Sequence, residues 1–148
     1  MGVTYSRSFA DLSRRIRARA EEMKRKVEAL DRKKVVVGIP AGAKYPNGKS
    51  VAEVAELVSY GIRDDGSPAN KGPRRFMTVA QEENGEKWNR MLKEGVRQAL
   101  RARGDMNLTP VLERVGNVMR DDIKKTMQEM GILKTGKMMD SIAVLEAG

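Results

Sequence analysis

Val35-Val36-Val37-Gly38-Ile39 opens the stretch that decides the fold, which runs on to Met77. A bounded run of β-branched residues predicts one short buried strand. Pro40 has no N–H to give a ladder and ends it. Tyr45-Pro46-Asn47-Gly48 reads as a tight turn, because Pro presets φ and Asn and Gly tolerate left-handed backbone. Ser50 suits an N-cap, with Glu53 three residues later as its capping-box partner. Val51, Val54, Ala55 and Val58 share one face of a helix over 51–60, and Gly61 suits its C-cap. A loop containing Gly and Pro leads to Gly72-Pro73-Arg74-Arg75-Phe76-Met77. There two cations adjoin one of only two phenylalanines.

The order strand, Gly-containing turn, helix also invites comparison with a phosphate-cradling loop. Five residues separate Gly42 from Gly48, where that motif needs four. Pro46 removes an N–H that the cradle would use. Lys49 and Ser50 are therefore read as a turn residue and a helix cap. Asp64 and Asp65, in the loop over 63–72, are adjacent acids without a third ligand and are read as solvated.

Outward from this stretch the chain is helical. Residues 1–5 read as loose, and Ser6 or Ser8 suits the cap of a helix running to about Leu30. Phe9, Leu12, Ile16, Ala20, Met23, Val27 and Leu30 form one apolar stripe at spacings of three and four. Periodicity leaves open whether that stripe packs in its own protomer, on a neighbour, or in a short coiled coil. Arg14, Arg15, Arg17, Arg19, Lys24, Arg25 and Lys26 populate the other surfaces, partly balanced by Glu21, Glu22 and Glu28. Two readings stand for them: a solvated helix face, or a positive face aimed at DNA or an acidic partner.

Downstream, Met77, Ala80, Trp88, Met91, Leu92, Val96, Ala99 and Leu100 predict a helix from Phe76 to about Arg103. Gly85 and Gly95 each weaken it by about 1 kcal/mol relative to Ala, and a bend or break is expected near 83–85. Thr109 and Pro110 read as N-cap and N1 of a further helix ending at Gly131, with Val111, Leu112, Val115, Val118, Met119, Ile123 and Met127 as its apolar stripe. Thr135 reads as the cap of a short helical turn leading into a strand over Ile142–Leu145.

The expected class is therefore α+β. A small antiparallel or mixed sheet of Val35–Ile39, Ile142–Leu145 and a third strand near Arg74–Met77 packs with long helices. The 148 residues suit one domain, a helix over 6–30 followed by an α+β unit over 34–148. Absence of cysteine fits a reducing compartment, and absence of histidine removes the commonest general base and metal ligand. Both speak against a hydrolytic enzyme, and no catalytic, cofactor or metal residue is assigned. No apolar run is long enough for a membrane span, and no secretory signal is expected. The net charge of +9 permits a polyanionic partner or an acidic protein surface.

The ordered series of strand, "YPNGKSVAEVAELVSYG", "GPRRFM" and a closing segment resembles the small tail-component, or tail-completion, proteins of long-tailed bacteriophages. In the closing segment Thr135-Gly136, Met138 and Ser141-Ile142 stand at the matching positions. The resemblance covers about Lys34 to Val144, with the helices matched by pattern. Tyr60 replaces the usual Phe and Arg75 the usual Pro. Met130-Gly131 joins directly where the family has a long Pro-rich loop.

The resemblance implies a structural virion protein at the head–tail junction, made in the host cytoplasm. It implies a homo-oligomeric sixfold ring in contact with the tail terminator and the head-completion (connector) ring around the DNA channel. A tail terminator capping the tube is the alternative, and a basic DNA-binding protein a further one. Arg74, Arg75, Phe76 and Met77 are expected at a protein interface, with Thr135, Met138 and Met139 of the closing segment. The competing reading makes Phe76 core, merely flanked by its arginines.

Overall fold

The computed structural model describes residues 2–132 and 136–148, with side chains from Phe9 onward. The order is α1 (Gly2–Leu30), β1 (Val35–Gly38), α2 (Val51–Tyr60), α3 (Phe76–Arg101), α4 (Thr109–Glu129), α5 (Lys137–Asp140) and β2 (Ala143–Ala147). The class is α+β, with a long N-terminal helix and one small sheet. Helix α1 already begins at Gly2, where a loose N-terminus was expected.

The sheet is two antiparallel strands, β1 against β2. Val36 faces Glu146 and Val37 faces Val144, so Leu145 is the extra residue of a bulge. The second strand starts later than expected because Ile142 is still bonded into the turn of α5, its N–H donating to Met139 O at 3.2 Å. The expected third strand near Arg74–Met77 is absent. The Arg74 N–H donates to Val58 O at 3.1 Å, tying the segment to the end of α2, and Phe76 begins α3.

Helix α2 is bounded as its caps dictate. Ser50 Oγ accepts from the Glu53 N–H. Gly61 sits at φ +70°, its N–H donates to Val58 O, and the Ile62 N–H donates to Leu57 O, which is a Schellman closure. A Cβ on Gly61 would lie 2.5 Å from Pro73 N, so the returning loop occupies the space a side chain needs.

Helices α3 and α4 form an antiparallel hairpin, with Trp88 opposite Asp122 and Gly95 opposite Val111. The Trp88 indole N–H donates to Asp122 Oδ2 at 2.8 Å, and Lys87 pairs with the same oxygen at 2.6 Å. Helix α3 is continuous through 83–85, so of the bend or break expected there the break does not occur. Leu108, not Thr109, occupies the N-cap of α4; the Thr109 N–H is bonded instead by the side chain of Asn107 at 3.2 Å. Gly131, at φ +72°, closes α4 with a second Schellman pair: its N–H reaches Gln128 O and that of Ile132 reaches Met127 O.

The core gathers Val51 and Ala55 of α2, Phe76, Ala80 and Trp88 of α3, Ile123 and Met127 of α4, and Met138 and Ile142. The sheet lies on α4 at Gly116, where a Cβ would stand 3.0 Å from methyls of Val35 and Val144.

The two glycines inside α3 are not equivalent. At Gly85 a Cβ would meet nothing nearer than Gln81 Cγ at 3.9 Å, whereas at Gly95 it would meet Val111 Cγ1 at 2.3 Å. Val111 is β-branched and stiff in a helix, so it cannot swing aside. Gly85→Ala is expected to stabilise the protein by up to about 1 kcal/mol through helix propensity. Gly95→Ala is expected to destabilise it by about 1–3 kcal/mol through overpacking, which outweighs the same propensity gain. Urea unfolding followed by Trp88 fluorescence separates the two.

Candidate interaction surfaces

The residues expected at an interface around Arg74–Met77 divide. Phe76 is 1% exposed and belongs to the core, which selects the core reading for it. Met77 is half-buried beside it. Arg75 is exposed, with its guanidinium carbon 5.9 Å from the ring centroid of Tyr60, a cation–π distance. Arg74 lies where the C-terminal ends of α2 and α4 converge. Its main-chain N–H goes to Val58 O, one guanidinium nitrogen donates to Gly131 O at 3.4 Å, and its buried Nε has no partner among the described residues. Helix C-termini carry partial negative charge, which places a cation favourably there.

In the closing segment, Met138 is buried in the core because the turn of α5 packs it against α2, and Met139 is half-buried. Thr135 lies outside the described residues. Between α2, the loop over 62–74 and the end of α4 runs a cavity of about 670 Å³. Ile62 and Ile132, the residues that follow the two Schellman glycines, both line it, with Leu57 and Val58. Arg63, Lys71 and Arg74 stand at its polar side, and Lys49 pairs with Asp64 there. Burial, and then the Asp64 charge, push the Tyr45 phenol above its ordinary value.

Helix α1 presents a different surface. Every residue from Phe9 to Ala18 is exposed. The apolar stripe faces outward, with Phe9 54%, Leu12 51%, Ile16 60% and Val27 51% exposed. Fully burying such a side chain is worth about 1.5–3 kcal/mol, against about 0–1 kcal/mol for an exposed ion pair. The stripe is thus a larger unrealised source of binding free energy than the charges around it.

What fastens α1 is polar. Arg19 donates to the carbonyls of Leu100 and Arg101, and Lys26 Nζ donates to Ala102 O. Glu22 joins both cations, at 3.0 and 3.3 Å, and accepts from the Gly104 N–H at 3.1 Å. These contacts cap the end of α3. Lys26 is therefore 5% exposed and not on the solvent face expected for it, and Arg19 is turned to the same joint. Arg14 pairs with Asp11. Arg15, Arg17, Lys24 and Arg25 are exposed and have no ion pair among the described residues. The i, i+3 and i, i+4 spacing of Arg19, Glu22 and Lys26 is legible in the sequence. That the trio meets the carbonyls of another helix has no local signal.

The opposite charge gathers elsewhere. Glu53, Glu56 and Tyr60 follow one another along the outer face of α2 at spacings of three and four, and Glu82 and Glu86 repeat at four on the first turns of α3. These four glutamates are exposed and have no ion pair among the described residues. Among the described residues no helix is long and apolar enough to cross a membrane. Comparison of the chain with protein-family models, with curated proteins and with solved structures finds no match.

Hydrogen bonds from Arg19 and then Lys26 hold the Glu22 carboxyl below its ordinary value. A carboxyl depressed in the folded state supports the joint fully above its unfolded value of about 4.3, and that support is lost as pH falls through the folded value. Spin labels at Ala18→Cys on α1 and Gln98→Cys on α3 are expected to report a narrow distance distribution at neutral pH that broadens below about pH 4. Glu22→Gln is expected to give the broad distribution at both.

Proposed function

We propose that the chain is a non-enzymatic structural protein of a phage virion, a neck or tail-completion subunit working in several copies at the head–tail junction. The observation that carries this reading is α1. A 29-residue helix with an exposed apolar stripe, fastened to the body by a polar joint, is the form of a subunit made to be covered by another.

The motif series supplies which assembly. The resembling segments also form one contiguous body: β1 pairs with β2, α2 packs with α5, and Arg74 bonds to the end of α2. The basic balance of the chain accords with a channel carrying DNA, where phosphate neutralisation is independent of sequence and sensitive to salt. Within that reading the role of facing DNA or an acidic partner falls to Arg15, Arg17, Lys24 and Arg25, since Arg14, Arg19 and Lys26 are engaged. The partners are further copies in a sixfold ring, the tail terminator and the head-completion ring.

A nonsense codon early in the gene, introduced in its phage, tests this by electron microscopy of the lysate. Filled heads beside separate tails of normal length are expected. Overlong or ragged tails would assign the chain to tail termination instead. Intact infectious virions without the protein would sink a structural role.

A further inference from the structure

The exposed stripe and the unpaired charges of this chain are complementary, yet one molecule holds them apart. Its own α1 is fastened at Leu100–Gly104, the C-terminal end of α3. The unpaired glutamates Glu53 and Glu56 lie toward the other end, on α2, whose C-terminal Tyr60 meets Arg75 just before α3. The 26 residues of α3 span about 39 Å. The described residues from Phe9 to Ala18 are exposed throughout, so α1 does not fold back along that distance.

We infer that α1 of one copy lies on the face of α2 of the next copy that carries Glu53, Glu56 and Tyr60. This rests on the reading of the chain as a subunit of a homo-oligomer and adds the two faces that meet. Leu12 and Ile16 cover the part of the Tyr60 ring, 57% accessible, that Arg75 leaves open, while Arg17 and Lys24, at the edge of the stripe, reach Glu53 and Glu56. The apolar contact supplies affinity and the charges supply register. Pairing of α1 with a second α1 is the poorer arrangement, because it sets the unpaired cations beside one another. Two different patches make a heterologous contact, and such contacts close into rings when the rotation allows.

The chain contains no cysteine, so introduced thiols are the only ones present. Oxidation of the purified Leu12→Cys, Tyr60→Cys double variant is expected to give a ladder of linked multimers on a denaturing gel. Each single variant is expected to stay a single band. Glu53→Lys with Glu56→Lys is expected to reduce linking about tenfold or more, since like charges then face each other, and Arg17→Glu with Lys24→Glu in that background to restore it. Leu12→Cys alone linking into dimers as efficiently would show α1 pairing with α1 and overturn the inference. A double variant that stays monomeric at rising concentration would overturn it too. Ladders from a chain that virions do not carry would leave this contact standing and end the neck reading. Rings that never link between positions 12 and 60 would end this contact alone.

Discussion

The close approach of α3 and the sheet to α4 is the constraint on which the rest of the structure depends. Each approach is made where a side chain is missing. Gly95 of α3 leaves room for Val111, and Gly116 of α4 leaves room for Val35 and Val144. Interiors are packed to crystal-like density, so a methyl group at either point would have to push an element outward. The core of Phe76, Ile123, Met127 and Ile142 is bounded by those same elements. The positions of the Trp88–Asp122 bond and of the end of α3 that holds α1 follow from it.

Cations on helix C-termini recur as the polar counterpart of that packing. Arg74 joins the ends of α2 and α4, and Arg19 and Lys26 join the end of α3. At the end of α3, and at Gly131 after α4, carbonyls left without helical partners receive a charged donor, whereas the end of α2 receives the Arg74 main-chain N–H. The solutions differ in completeness. The α1 joint is closed by Glu22, which satisfies both cations. At Arg74 the Nε stays without a partner among the described residues, beside a cavity with an apolar wall. A buried guanidinium nitrogen without a partner is unfavourable for the fold alone, so among the described residues Arg74 stands out as a buried side chain with an unmet polar atom.

The local elements were legible where local chemistry specifies them. Ser50, Glu53 and Gly61 bound α2, and the apolar spacing of 111–127 and the closing Gly131 define α4. The first turn of α4 was misread by one residue because Asn107, not Thr109, supplies the oxygen. Gly95 read as a weakness of α3, since sequence shows the propensity lost and not the neighbour accommodated. The same limit hides Lys26 among the basic residues of α1: spacing tells which side chains share a face, but not what that face meets. Phe76 and Met138 were drawn toward an interface by their place in recognisable motifs, and burial returns them to the core.

The stripe on α1 shows that limit at its widest. Its period is as regular as that of α4, yet α4 buries Leu112, Val115, Ile123 and Met127 while α1 leaves Leu12, Ile16 and Val27 more than half exposed. Periodicity measures amphipathicity, and an amphipathic helix satisfies it equally by packing within the chain or on a copy. Energetics then separates the two. Helical stretches with no tertiary packing are marginal in water at the length of the exposed part of α1, because the first turn is costly to nucleate. The polar joint at Arg19, Glu22 and Lys26 holds the C-terminal half, where Met23, Ala29 and Leu30 are half-buried. For the N-terminal half the proposed contact would make the same apolar area stabilise the helix and bind the next copy, which would couple ordering of that half to assembly.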